Sequence, residues 1–171
     1  MKPKEEKMLG AVYREIDKKT EELIVRIYGN WVREYNCIRY GEGCYSVVAL
    51  VDNFPAGFIS VYPRKLPEPF HEFCDAYIEV IEVHKEYRRR GIATELIKRA
   101  EAWAKEYGYR QISSWSSDDK KEALKMWYAL DYGIMPAVMR GKSVIKEFEN
   151  KPILGFYVSK MLNPSGKYLH P

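Results

Sequence analysis

Tyr77-Ile78-Glu79-Val80-Ile81-Glu82-Val83-His84-Lys85-Glu86-Tyr87-Arg88-Arg89-Arg90-Gly91-Ile92-Ala93-Thr94 is the stretch that decides how this chain folds. Its first part, from Ala76 to Val83, is apolar on both parities apart from Glu79 and Glu82, as expected of a central strand covered on both faces. Its last part opens a run in which Ile92, Ala93, Leu96, Ile97, Ala100, Trp103, Ala104 and Tyr107 recur at helical spacing, with Gly108 placed for a left-handed cap. Between strand and helix lie three arginines and a glycine. The backbone N–H groups of such a turn and of the first helical turn have no intrachain acceptor, and the helix dipole adds partial positive charge there. A phosphate fits that place. Gly91 allows close approach, Ala93 keeps the wall small, and Arg88, Arg89 and Arg90 supply charge.

Around this stretch the chain reads as strands and helices of one α/β domain. Leu9 to Ile16 alternates as a short first strand, and Thr20 followed by Glu21 and Glu22 starts a helix that reaches Tyr35 with a break at Gly29. Cys44–Val51 and Ala56–Tyr62 form an antiparallel hairpin about Asp52-Asn53-Phe54-Pro55, and the prolines from Pro63 to Pro69 predict a loop. After the long helix come a fifth strand at Gln111–Ser116 and a helix carrying Ala123, Met126, Trp127 and Leu130, opened by Asp118 and Asp119. Final strands follow at Ile134–Arg140 and Ile153–Met161, joined by a charged connection from Gly141 to Pro152. The expected domain spans residues 1–171 with a core at about 9–162.

Composition narrows the function without naming it. With 171 residues, 46% hydrophobic, the chain can bury one substantial core. A formal net charge of +4 suits an anionic ligand and falls short of a nucleic-acid-binding tail. Cys37, Cys44 and Cys74 are too few and too irregular for a disulfide framework or a metal knuckle, which favours a reducing compartment. The N-terminus is charged where a signal peptide would be apolar, and no apolar run approaches a membrane span. The expectation is a cytoplasmic protein that needs no metal and binds neither membrane nor nucleic acid; monomer and homodimer both stay open.

Ile81-Glu82-Val83, four intervening residues, and then Arg88-x-x-Gly91-x-Ala93 opening a long amphipathic helix resemble the central motif of the GNAT superfamily of acyl-CoA-dependent N-acyltransferases. The order of elements from about Leu9 to Leu162 is similar to that fold as well. The resemblance implies a mixed, mostly antiparallel sheet with a splayed central strand, and acetyl-CoA as co-substrate. It implies that the backbone of Ile81, Glu82 and Val83 pairs with the pantetheine arm, and that the Val83 N–H polarises the thioester carbonyl. Arg88, Arg89, Arg90, Gly91, Ile92, Ala93 and Thr94 would cradle the pyrophosphate.

The chemistry implied is transfer of an acetyl group to a primary amine, which arrives as ammonium and must lose a proton. Glu79 and Glu82 are the carboxylates in reach, on opposite faces of the strand. Glu79 lies four residues before Val83, where polyamine acetyltransferases of this family carry a glutamate base. It is the candidate base, with a structural ion pair as the competing role. The family's thiolate-protonating tyrosine sits in a pattern like Asn-x-x-Ala-x-x-Leu-Tyr-x-x-Leu-Gly-Phe. Lys120 to Tyr132 matches at Ala123, Met126, Leu130 and Tyr132 but puts Trp127 in the tyrosine slot and Asp131 in the glycine slot. One helical bulge would bring Tyr128 round as the general acid. Trp31, Glu34, Tyr35, Asp75 and Trp115 are the acceptor-side candidates, suited to a cationic amine, whether polyamine, protein lysine or N-terminus, or small metabolite. A non-catalytic acyl-CoA-sensing module is the alternative; a nucleic-acid-binding domain is a third reading.

Overall fold

Among the described residues, seven strands and four helices follow one another in the order the sequence predicts: β1 (Val12–Glu15), α1 (Lys18–Tyr28), α2 (Trp31–Glu34), β2 (Tyr45–Val51), β3 (Phe54–Lys65), β4 (Cys74–Val83), α3 (Ile92–Tyr107), β5 (Gln111–Ser117), α4 (Lys121–Ala129), β6 (Gly133–Met139) and β7 (Ile153–Met161). The computed structural model describes residues 10–65, 68–69, 74–139 and 153–164; the predicted connection from Gly141 to Pro152 lies outside them. The strands hydrogen-bond in the order β1-β2-β3-β4-β5-β7-β6. The β1–β2, β2–β3, β5–β7 and β6–β7 pairs are antiparallel, and β4–β5 is parallel. The fold is therefore the expected mixed, mostly antiparallel α/β sheet. No helix among the described residues is long and apolar enough to cross a membrane.

Two compact units share the chain: residues up to Tyr62 with Ile78–Trp103, and Pro63–Tyr77 with the residues from Ala104 onward. In the first, α1 begins at Asp17, whose side chain accepts the Thr20 N–H at 2.7 Å. The cap is thus three residues ahead of the predicted start, and Thr20 is buried. Gly29, at φ 113, ends α1 with its N–H on the Val25 carbonyl, so the predicted break is real and α2 is a separate turn. Ile24, Val32 and Ile38 pack with Val48, Leu50 and Phe58 of the hairpin.

Asp52 and Asn53 both have positive φ, giving the two-residue turn that the twist of a β-hairpin favours. A register shift follows: Ala49 faces Gly57 but Leu50 faces Pro55, which leaves Ala56 as the extra residue. Its carbonyl accepts the His84 N–H at 2.9 Å. β3 continues through Pro63 to Lys65, so the first three residues of the predicted loop are strand; Glu68 and Pro69 form a turn, as expected, and residues 66–67 lie outside the described residues. The β2 pairing runs from Phe54 to Val61, so Pro63 sits beyond it, where its missing N–H costs β2 no bond.

In the second unit, β4 and β5 pair at Ala76↔Ile112 and Tyr77↔Ser113, just before β4 passes into the first unit. β7 runs antiparallel to both β5 and β6. At Gly155 a Cβ would stand 2.5 Å from the Ser116 carbonyl and from the Trp115 ring, so the indole lies across β7 where a glycine is required. Gly108 has φ 100 and ends α3 as expected, with the Tyr109 N–H on the Ala104 carbonyl at 2.9 Å.

Candidate active site

The turn after β4 is built almost wholly from its own backbone and one arginine. His84 leaves the strand, Lys85–Tyr87 form a single 3-10 turn, and Arg88 folds back to donate its Nε–H to the Val83 carbonyl at 3.0 Å. Arg89 has φ 61 and Gly91 φ 80, while Arg88 has φ −66. Residues of alternating hand swing successive N–H groups toward one side, a local geometry that receives anions. The Glu95 N–H bonds to the Gly91 carbonyl at 3.0 Å, so the N–H groups of Ile92, Ala93 and Thr94 precede the helical ladder. A Cβ placed on Gly91 would meet nothing within 4 Å among the described residues beyond its chain neighbours. Arg88, Arg89 and Arg90 are exposed. Free N–H groups, a helix N-terminus, open space and three cations are together what a pyrophosphate needs.

Behind the turn stands an aromatic wall. Tyr28 donates to the Pro55 carbonyl at 3.0 Å and accepts from the His84 N–H at 3.1 Å, and burial pushes its phenol up. The Phe54 ring stacks on Tyr87 at 5.4 Å and meets His84 edge-on at 5.1 Å; the Arg90 guanidinium lies 5.5 Å over Tyr87. Gly57 lets these pieces close: a Cβ there would come within 3.0 Å of the Glu82 carbonyl and of Ile92 Cγ2, and 3.2 Å of Val83 Cγ2. Bare backbone of β3 therefore lies against the end of β4 and the first residue of α3.

Glu79 stands four residues before the turn, with its side chain 16% exposed, and pairs with the Arg39 guanidinium at 3.7 Å. Arg39 also lies over the Tyr62 ring at 4.7 Å. The loop holding Arg39 is fixed by Ser60 and Ser46, which bond to each other at 2.8 Å and to the Arg39 N–H and carbonyl. Cys37 is packed close by; burial first, then the Glu79 charge, push its thiol up to about 11. Glu82 is half-buried, and its charge reaches Tyr28.

The register of α4 is plain in the structure. Trp127 is buried, with its ring 4.7 Å from that of Tyr132, whereas Tyr128 is 74% exposed. The helix ends with the Tyr132 N–H on the Trp127 carbonyl and the Asp131 N–H on the Tyr128 carbonyl, both at 3.1 Å, and Asp131 has φ 63. This is a Schellman end with its hydrophobic contact between Trp127 and Tyr132. Asp131 thus performs the glycine's conformational job in the glycine slot. α4 is uninterrupted α-helix from Lys121 to Ala129, so the bulge expected to turn Tyr128 inward is absent; the neighbouring directions differ by about 100°, and Trp127 has the inward one. Lys120, not Asp118 or Asp119, precedes the first helical residue, and it makes no side-chain cap.

A model of the acetyltransferase (GNAT) family matches residues 11–132. The chain belongs to that family. Over 57 residues it is 40% identical to the aminoglycoside N(6')-acetyltransferase type 1 of Acinetobacter genomosp. 13, a match covering 33% of this chain and 39% of the relative. This GNAT chain is similar in fold to the ribosomal-protein-S18-alanine N-acetyltransferase from Escherichia coli, at 11% identity and a TM-score of 0.66 over 94% of this chain and 99% of that one. It is similar in fold also to Arabidopsis thaliana NAA60 in complex with acetyl-CoA, at 15% identity and a TM-score of 0.66 over 89% and 98% of the two chains.

Within this GNAT chain the acceptor-side candidates are divided between the two units. Trp31 donates to the Tyr28 carbonyl at 2.7 Å, Trp31 and Tyr35 pack on the first unit's core, and Glu34 accepts from Asn30. Asp75 and Trp115 belong to the second unit. Gly57 and Arg39 were not singled out by the sequence. A glycine inside a strand marks close backbone approach and could have been found; Arg39 sits in an irregular loop and meets Glu79 only through the fold.

Proposed function

We propose that the chain is an N-acetyltransferase that moves an acetyl group from acetyl-CoA to a primary amine by direct transfer in a ternary complex. The observation that carries this reading is the turn at Gly91, where the N–H groups of Ile92, Ala93 and Thr94 precede the helical ladder and a Cβ on Gly91 would meet nothing within 4 Å among the described residues beyond its chain neighbours. Acetyl-CoA supplies an activated thioester carbonyl. The chain's part is to hold and polarise it. Arg88 to Thr94 take the pyrophosphate, the backbone of Ile81 to Val83 takes the pantetheine, and the Val83 N–H faces the carbonyl oxygen where negative charge develops. Glu79 removes the proton from the ammonium, with Arg39 fixing the carboxylate's place. Tyr128, which keeps its hydroxyl in solvent, is the candidate for returning a proton to the departing thiolate; Trp127 has no proton to give.

The test follows free thiol while the protein is mixed with acetyl-CoA and a panel of amines headed by an aminoglycoside, a polyamine and a peptide N-terminus. Thiol release with one class, lost in Gly91→Glu, supports the reading. Silence with every class overturns it. Tyr128→Phe should lower kcat if its hydroxyl returns the proton, and leave kcat unchanged if water does.

One observation favours a second reading, that the chain binds acyl-CoA without turning it over: the slot of the family's tyrosine holds a buried tryptophan. Acetyl-CoA would then raise the melting temperature with no thiol release, and Glu79→Gln would change nothing.

A further inference from the structure

Asp75 is the most buried carboxylate described, at 1% exposure, and it is only half satisfied. Its Oδ2 accepts from Ser113 Oγ and from the Tyr157 hydroxyl at 2.9 Å, and stands 3.5 Å from Arg64 Nη2. Its Oδ1 is buried with no hydrogen-bond partner among the described residues. Buried carboxylate oxygens are ordinarily bonded, because desolvation without a donor is costly.

The arginine beside it is held in an unusual way. The Arg64 guanidinium carbon lies 3.8 Å over the Tyr77 ring centroid and 5.5 Å from that of Tyr157, and Nη2 donates to the Tyr157 hydroxyl at 3.1 Å. Its one contact with Asp75 is long, where a paired guanidinium and carboxylate normally meet through two bonds of about 2.7–2.9 Å. The carboxylate therefore has a cation stacked on two tyrosine faces beside it, and still keeps one oxygen unused. Burial, with the Asp75 charge adding to it, pushes the Tyr157 phenol up, so that hydroxyl remains a donor. The Arg64 side chain is 29% exposed and leads out to solvent.

We propose that Asp75, Tyr77 and Tyr157 form a subsite for an organic cation, a guanidinium or a primary ammonium, which Arg64 occupies in this structure and a ligand enters by exchange. Two tyrosine faces and a desolvated carboxylate are the elements that select a flat or compact monocation. Arg64 is the built-in competitor. The subsite lies wholly within the second unit, and it stands whether or not the chain transfers acetyl groups.

The experiment is calorimetric titration of methylguanidinium chloride into the full chain at constant ionic strength, comparing the native protein with Arg64→Ala. The expected result is an affinity at least tenfold higher in Arg64→Ala, with the gain removed when Asp75→Asn is added. Equal affinity in the two proteins overturns the proposal. So does a gain that persists in the Asp75→Asn background, because the cation would then be bound elsewhere. Should Arg64→Ala unfold, Arg64→Gln keeps a stem over Tyr77 while removing the charge, and the same two outcomes decide. Failure of the acetyl-transfer reading shows separately, as absent thiol release by the native protein.

Discussion

The Arg39 guanidinium stands 3.7 Å from the Glu79 carboxylate, on a loop that two serines hold in place. A glutamate kept only for that pair would be a structural residue; a glutamate that also takes a proton would be a catalytic one. Glu79→Gln separates these. A base role predicts a loss of ~10²–10⁴-fold in kcat with acetyl-CoA affinity unchanged. A structural role predicts a lowered melting temperature, about 1 kcal/mol for a partly exposed pair, and intact turnover. Steady-state kinetics beside thermal unfolding checks both.

Gly57→Ala should disturb the turn proposed to hold the coenzyme by pressing on the residues at its two ends. The new methyl would press within 3.0 Å of the Glu82 carbonyl, which is backbone, and of Ile92, which opens α3. Overpacking of this kind costs roughly 1–3 kcal/mol, and the displaced Ile92 should weaken acetyl-CoA binding as well. Unfolding by denaturant and titration with acetyl-CoA read the two effects independently.

Asp131→Gly should stabilise the protein. Asp131 holds φ 63, a conformation a side chain rarely adopts, and the carboxylate is exposed. Relief of that strain, offset by the greater freedom of an unfolded glycine, amounts to about 1 kcal/mol, or a rise of roughly 2–4 °C in Tm for a chain of this length. A scan of the two proteins side by side decides it.

Alkaline pH should weaken the fold. Cys37 has its thiol pushed up to about 11 from an ordinary value of 9, and Tyr28 is raised too. Between pH 9 and 11 the unfolded chain has lost the Cys37 proton and the folded chain keeps it. Stability from this group is therefore full below pH 9 and is lost as pH climbs toward 11. Cys37→Ala should flatten that decline, measured as the denaturant midpoint against pH.

The sequence made the scaffold legible where local pattern and tertiary fate agree. The strand at Ala76–Val83, the helix from Ile92 and the cap at Gly108 each carry a strong periodicity or a residue with one conformational use. Pro63 reads as a breaker in the sequence, whereas a proline's effect depends on whether a neighbour needs its N–H. The α4 register was unreadable for a similar reason: Asp131 takes a left-handed conformation that the sequence reserves for glycine. The Glu79–Arg39 pair spans forty positions and is set by the fold, so no spacing rule could have announced it.

The bond from Arg88 Nε to the Val83 carbonyl leaves the two terminal nitrogens of that guanidinium without an ion pair or hydrogen bond among the described residues. One side chain can therefore fasten the end of a strand with its inner nitrogen while its outer pair grips an anion, and neither grip disturbs the other. A lysine has a single head and would have to let go of the strand to take hold of the phosphate. If Arg88 takes the phosphate as proposed, a side chain with two hands lets ligand arrival and strand anchoring proceed without competing.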